Sequence, residues 1–258
     1  MNYFNEILNK AKKLEGQSIR LALPGINSNY SNNRRITKSV LANYIERDYF
    51  GLELSSHSDA DFREIGTELK TTGIHFVKAK GLYNAKERLV LTMIDYKDVI
   101  ENKLWTDNSH LKKINKILFI IYLYELKPVR FEDFKIIHTF IWEPSKKHSE
   151  LLQRDYTLIR EKIIKGEVLS ERHTDFLGSC PKHGGGYNKS APSLSKSGAI
   201  AKHPNLVFAE RRAFCIKQRA FDQIIADSLN IKLRRYKGSI GLYKNDYPNF
   251  EKKFFYES

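Results

Sequence analysis

At 258 residues the chain is long enough for one large domain or two small ones, and its 41% hydrophobic residues supply ample core. A balance of 44 Lys+Arg against 30 Asp+Glu leaves a formal +14, an excess that attracts polyanions and makes nucleic acid the first partner to consider. Two cysteines, Cys180 and Cys215, exclude a disulfide framework, and the longest apolar run, "ILFIIYLY" (117–124), is too short to cross a bilayer; with no secretion-like segment after Met1, the expectation is a cytoplasmic protein with no membrane association.

Along the chain, "YFNEILNKAKKLEGQSI" places Phe4, Ile7, Leu8, Ala11 and Leu14 at helical spacing, with Gly16 as the stop. "GINSNYSNNRR" (25–35) reads as a loop. "KSVLANYIERDYFG" returns to helical spacing up to Gly51, with Glu46 late in that helix. "TELKTT", "ERLVLTMIDY" and "KILFIIYLYE" have the β-branched or apolar character of strands, and "FKIIHTFIW" (134–142) is a fourth extended stretch. A long amphipathic helix is expected over about 149–165, ending at Gly166. This order predicts a mixed α/β architecture around one sheet. From 174 to 217, glycine, serine and proline predict a long basic loop, a length usually reserved for function or disorder. The last thirty residues carry no motif.

Charge is concentrated in that loop. Between residues 181 and 220, eight basic side chains face only Glu210, a net +7 that is half of the total. Lys182, Lys189, Arg211, Arg212, Lys217 and Arg219 are the donors available there to phosphates and base edges, and guanine is best read by Arg or Lys on its O6 and N7. A solvated basic loop is the plain alternative.

The chemistry is carried by "DFREIGTELKTTG" (61–73). On a strand, i and i+2 share a face, so Glu68 and Lys70 stand side by side while Leu69 points into the core. Asp61, arriving from the preceding loop, completes a carboxylate pair suited to Mg²⁺, which prefers oxygen ligands and keeps waters and substrate phosphate oxygens. Asp61 and Glu68 would be metal ligands, and Lys70 would position the attacking water and offset charge on phosphorus. The competing reading is an exposed Glu68–Lys70 pair on a half-buried strand. Cys180, His183, His203 and Cys215 fit no compact zinc spacing, so zinc is not expected. Trp105 and Trp142 read as core aromatics, and Glu87 and Arg88 as strand-end salt-bridge formers.

"SDADFREIGTELKTT" resembles the active-site segment of the MutH family, in which Asp-Phe, a Gly and Glu-Leu-Lys occur at this spacing. "AKKLEGQSI", "YIERDYFG", "SHLKKINKILFIIY", "LLQRDYTLIREKIIKGEV", "FLGSCPKH" and "AFCIKQRAF" follow the family in order, so the resemblance covers about residues 3–230. "GLYNAKERLVLTMIDY" is more similar to the MutH-type restriction endonucleases that cut GATC than to the mismatch-repair nickase.

The resemblance implies the PD-(D/E)XK restriction-endonuclease-like fold, a mixed central sheet flanked by helices with DNA in a cleft between two arms. It implies a nuclease domain over 1–230 and a C-terminal extension or linker over 231–258. It carries over Asp61 and Glu68 as metal ligands and Lys70 as the catalytic lysine. Glu46 matches a helix glutamate near the metal, and Lys113, or its neighbour Lys112, a lysine near the scissile phosphate. The implied activity is Mg²⁺-dependent, type II cleavage of double-stranded DNA at GATC. The alternatives are a strand-nicking enzyme of mismatch repair and a non-catalytic DNA-binding module of a duplicated nuclease. Cutting both strands would take a homodimer on DNA, a second MutH-like domain or two successive nicks. Cys180 stands where the nickase has an arginine, and Cys215 close to where it has a tyrosine, so the resemblance does not carry over the details of base contact there, while the cutting chemistry is unaffected.

Overall fold

The computed structural model describes residues 3–24, 37–53, 59–125, 130–182, 211–236 and 239–243. The chain divides into two compact units, the first drawn from Met1–Glu87, Lys116–Glu143 and Phe221–Ser258, the second from Arg88–Asn115 and Pro144–Ala220.

The first unit is built on a six-stranded mixed sheet. Its strands are β1 (Glu68–Val77), β2 (Leu82–Ala85), β4 (Ile117–Tyr124), β5 (Ile136–Trp142), β8 (Arg234–Tyr236) and β9 (Ser239–Tyr243), with β3 (Leu89–Met93) in the other unit. The spatial order is β5-β4-β1-β2-β9-β8. β1 and β4 run parallel in register from Glu68↔Ile117 to His75↔Tyr124, and the remaining pairs are antiparallel. The central pair is buried on both faces, which is why "ILFIIYLY" is continuously apolar rather than alternating.

Two layers of helix cover this sheet. Leu118, Ile120 and Tyr122 of β4 share one cluster with Ile7 and Ala11 of helix α1 (Tyr3–Lys12), Ile19 of the short helix α2 (Ile19–Ala22), and Leu41 and Tyr44 of α3 (Lys38–Tyr44). Phe119, on the alternate face, meets Phe221, Phe140 and Trp142, with ring centroids 5.1, 5.1 and 6.5 Å away. A Cβ at Gly73 would stand 2.6 Å from Tyr122 Cε2, so only glycine lets that ring lie across β1.

The second unit holds a three-stranded antiparallel sheet, β3-β7-β6, with β6 at Leu177–Pro181 and β7 at Arg212–Ile216. Helices α4 (Tyr96–Glu101) and α5 (Lys146–Ile164) belong to it. Tyr156 of α5 donates its hydroxyl to Asn102 O at 3.0 Å, and its ring lies 6.1 Å from Phe214. Asp155, fully buried, accepts the backbone N–H groups of Asp175, Phe176 and Leu177 on Oδ2 at 3.1, 2.6 and 3.0 Å, fixing the entry into β6. Helix α6 (Gln218–Ser228) begins in this unit and continues into the first.

Several expectations are corrected. There are two sheets among the described residues, not one. "ERLVLTMIDY" yields a strand only over Leu89–Met93, because Asp95 caps a new helix by accepting the N–H groups of Lys97 and Asp98. The span 174–217 contains β6 and β7 at its ends, and only 183–210 lie outside the described residues. The long helix starts at Lys146, capped by Ser145. The uninformative tail supplies β8 and β9, which extend the main sheet through Leu82↔Tyr243 and Tyr83↔Leu242. Trp105 and Trp142 are buried, as expected. No described helix is long and apolar enough to cross a membrane.

Candidate active site

The segment between Asp61 and Glu68 closes on itself. Phe62 and Thr67 form an antiparallel bridge, with Phe62 N–H donating to Thr67 O at 2.9 Å and Thr67 N–H returning to Phe62 O at 3.2 Å. A single 3-10 turn, Arg63–Ile65, fits inside the bridge, and Gly66 ends it in the left-handed region at φ 58°. Phe62 is anchored in the same apolar cluster as Leu69. The spacing of seven between the two acids is thus the length of one bridged loop.

Closure brings Asp61 back onto the start of β1. Its Oδ2 accepts the N–H of Leu69 at 2.7 Å, so a loop carboxylate sits beside the residue that follows Glu68. Glu68 opens the strand and its own N–H donates to Lys116 O at 2.9 Å, fastening the site to the edge of β4. Leu69 points into the core, 1% exposed, as the alternation requires.

The Glu68–Lys70 pair is not the solvent-facing couple of the competing reading. Glu68 is 2% exposed, and Lys70 Nζ donates to its Oε1 at 2.5 Å from a side chain 22% exposed. Desolvating a carboxylate costs several kcal/mol, roughly what the pairing returns, so such a pair contributes little net stability and needs another reason to exist.

Glu46 lies in a π-helical turn, Ile45–Tyr49, that continues α3; the wide turn is seen in Phe50 N–H donating to Ile45 O at 3.0 Å. Such turns recur at functional sites. Ile45 packs in the cluster that holds Phe62 and Leu69, and Phe50 meets Phe62 edge to face at 5.2 Å, so the Glu46 turn and the acidic loop share one core. Asp61, Glu68, Lys70 and Glu46 therefore all belong to the first unit.

Asp61 and Glu68 present hard oxygen donors next to an ammonium. That set fits Mg²⁺, which is often held by one or two carboxylates and completes its shell with water and phosphate oxygens. Among the described residues no three His, Cys, Asp or Glu side chains gather into a cluster, and His183 and His203 of the zinc reading lie outside the described residues.

The remaining predicted residues lie in the second unit. Lys113 is half-buried and Lys112 exposed in a 3-10 turn, Lys112–Asn115, directly before β4. Lys182 and Arg211 stand together at the root of the segment 183–210, where Lys182 N–H donates to Arg211 O at 2.8 Å. Arg212 faces inward, 8% exposed, and donates to Ser179 O at 3.2 Å. Lys217 Nζ is held by Glu171 O at 2.9 Å and by Thr174 O. Arg219 is exposed on the first turn of α6. Lys189, His183 and His203 lie outside the described residues. Glu87 pairs with Lys38 and Arg88 with Glu171, so both make the salt bridges expected of them, with different partners.

Sequence reasoning missed the parts that hold the motif together: the Phe62–Thr67 bridge, the Asp61–Leu69 bond and the Lys116 carbonyl. Only Gly66 signals any of these in the sequence, since a glycine between two acids marks a tight turn.

Residues 50–155 match the family described as DNA mismatch repair enzyme MutH. The type II restriction enzyme Sau3AI of Staphylococcus aureus is 28% identical over 235 residues, 87% of this chain and 45% of Sau3AI, so the chain spans less than half of that relative. The DNA mismatch repair protein MutH of Yersinia enterocolitica is 26% identical over 174 residues, 66% of this chain and 69% of that protein. MutH of Shewanella baltica strain OS195 is 25% identical over 214 residues, 82% and 89% of the two chains. The matched segment contains the whole bridged loop from Asp61 to Lys70, and over most of its length the chain is similar to the MutH-like restriction and mismatch-repair enzymes.

Proposed function

We propose that the chain is a Mg²⁺-dependent, sequence-specific endonuclease that hydrolyses double-stranded DNA at GATC as a type II restriction activity. The observation that carries this reading is the buried Glu68–Lys70 pair with Asp61 drawn onto Leu69 N–H. Restriction is preferred over mismatch-repair nicking because at similar coverage the identity to Sau3AI is higher, 28% over 87% of the chain against 25% over 82% for MutH of Shewanella baltica.

When bound, Mg²⁺ would polarise the scissile phosphate and lower the pKa of an attacking water. Asp61 and Glu68 would hold it. Glu68 is pre-aimed by its place at the start of β1, and the Leu69 N–H orients the Asp61 carboxylate. Lys70 neutralises Glu68 in the resting site and, on the same strand face, orients the water and offsets the negative charge gathering on the phosphorus in the transition state. Glu46, on the wide turn beside this loop, is proposed to position water at the metal, and Lys113 to contact the phosphate. Lys182, Lys189, Arg211 and Arg219 are the proposed DNA contacts. Arg212 and Lys217, held by main-chain carbonyls, are proposed to brace the strands that present those contacts.

The test is incubation with Mg²⁺ and plasmids unmethylated, hemimethylated or fully methylated at GATC, followed by sequencing of the ends. Double-strand breaks at GATC without a protein partner support restriction. Nicks confined to unmethylated strands would shift the assignment to mismatch repair, and tight binding without cleavage would favour the non-catalytic DNA-binding module.

A further inference from the structure

The two cysteines form a cross-strand pair that the cutting chemistry leaves unused. In the β6–β7 ladder, Cys180 is opposite Ala213 and Cys215 opposite Gly178, so the two thiols project from the same face on diagonal positions. Both residues opposite them are small, which clears the space between the thiols. A Cβ on Gly178 would stand 3.3 Å from Cys215 Sγ, so that sulfur lies over the Gly178 position. Cys180, Ala213 and Cys215 pack as one small buried cluster with Val90 and Met93, and the two thiols hydrogen-bond each other. Both are reduced.

We propose that Cys180 and Cys215 are a thiol–disulfide exchange site, with Cys180 as attacking and Cys215 as resolving thiol, that closes to an intramolecular disulfide when a small-molecule disulfide is the oxidant. The roles follow from position. Cys180 is on β6, an edge strand of the three-stranded sheet, whereas Cys215 is on the central strand β7. The Cys215 hydrogen bond, with Arg88 and Lys182 nearby, favours the Cys180 thiolate against the opposing effects of burial and Glu171; the Cys180 bond and burial hold Cys215 protonated.

The Cys180 thiolate attacks one sulfur of the small disulfide, whose S–S bond breaks and releases one thiolate. Cys215, giving its proton to solvent, then attacks Cys180 Sγ and expels the second thiolate. Two cysteines are oxidised, one disulfide is reduced to two thiols, and the protons end on those thiols. Both thiols are 1% exposed, so exchange requires β6 to lift from the sheet edge, the least costly opening available there. The bond would fasten the strand leading to Lys182 to the strand that follows Arg211.

The test uses the full chain, reduced and then exposed to oxidised glutathione under native conditions, with acid quench, alkylation and peptide mapping. The expected result is a Cys180–Cys215 linked peptide and the loss of both free thiols. Cys215→Ser should accumulate glutathione on Cys180. Cys180→Ser should react at Cys215 at least tenfold more slowly, with circular dichroism confirming that each variant is folded. Two free cysteines after oxidation, linkage seen only in denaturant, or equal trapping at either cysteine would overturn the proposal, whatever the nuclease assays give.

Discussion

Asp61 Oδ2 accepts the main-chain N–H of Leu69 at 2.7 Å, across a loop closed by the Phe62–Thr67 bridge. One bond thereby couples the acid before the strand to the strand itself. Asp61→Asn keeps an acceptor but loses the charge, whereas Asp61→Ala leaves Leu69 N–H without that partner. Both variants should lose metal-dependent cleavage. Only the alanine should also lose stability, by about 1 kcal/mol. Equal melting temperatures for the two variants would mean that the bond does not organise the loop.

Lys70→Ala should lower hydrolysis at least about a hundred- to a thousandfold, the scale for loss of one charge-stabilising group. DNA affinity should change little. The Glu68 carboxylate, 2% exposed, then loses its ammonium partner, so a stability loss on the order of 1–3 kcal/mol is expected as well. Assays below the new melting temperature separate the two effects, and a variant that still cuts at the original rate would remove Lys70 from the mechanism.

Arg211 and Arg212 are adjacent in sequence but differ in setting. Arg211, at the root of the basic segment, is proposed to contact phosphate, so Arg211→Ala should reduce the log-log salt slope of DNA binding by about one. Arg212→Ala should leave that slope unchanged and lower stability by about 1–3 kcal/mol, because its guanidinium is buried on Ser179 O. The reverse pattern in salt titrations would place Arg212 on the DNA.

Asp222 provides a pH test of the main sheet. Burial lifts its carboxyl to about 6 from 3.8, against the Ala85 N–H and Asn84 amide that donate to it. A raised folded-state value means that its contribution is fully present below 3.8 and is lost as pH rises through about 6. Asp222→Asn removes this slope. The Asn84 amide loses one acceptor at a pH-independent cost of about 1 kcal/mol. The variant should therefore gain on the wild type steadily between pH 4 and 7 in thermal melts. A constant difference would place the raised titration elsewhere.

The amino-acid sequence by itself determined most of the local elements, and it is the source of the active-site chemistry proposed here. The shared face of Glu68 and Lys70 could be read because alternation along a strand is a local property, and so could the buried β4, the two long helices and the basic character of the span after Pro181. It did not reveal that the span after Pro181 is bounded by β6 and β7, or that Arg212 and Lys217 face inward, because those outcomes depend on strand pairing between residues far apart in the chain. β8 and β9 were illegible for the same reason, since the three-residue β8 pairs with β9 and the five-residue β9 with β2, about 160 positions earlier. Tertiary structure alone decided that Glu68 is buried rather than exposed: β4 runs along one side of β1, Lys116 caps its first N–H, and Asp61 is pulled over its second. The placement of the two thiols was decided in the same way, by a register that sets glycine opposite one and alanine opposite the other.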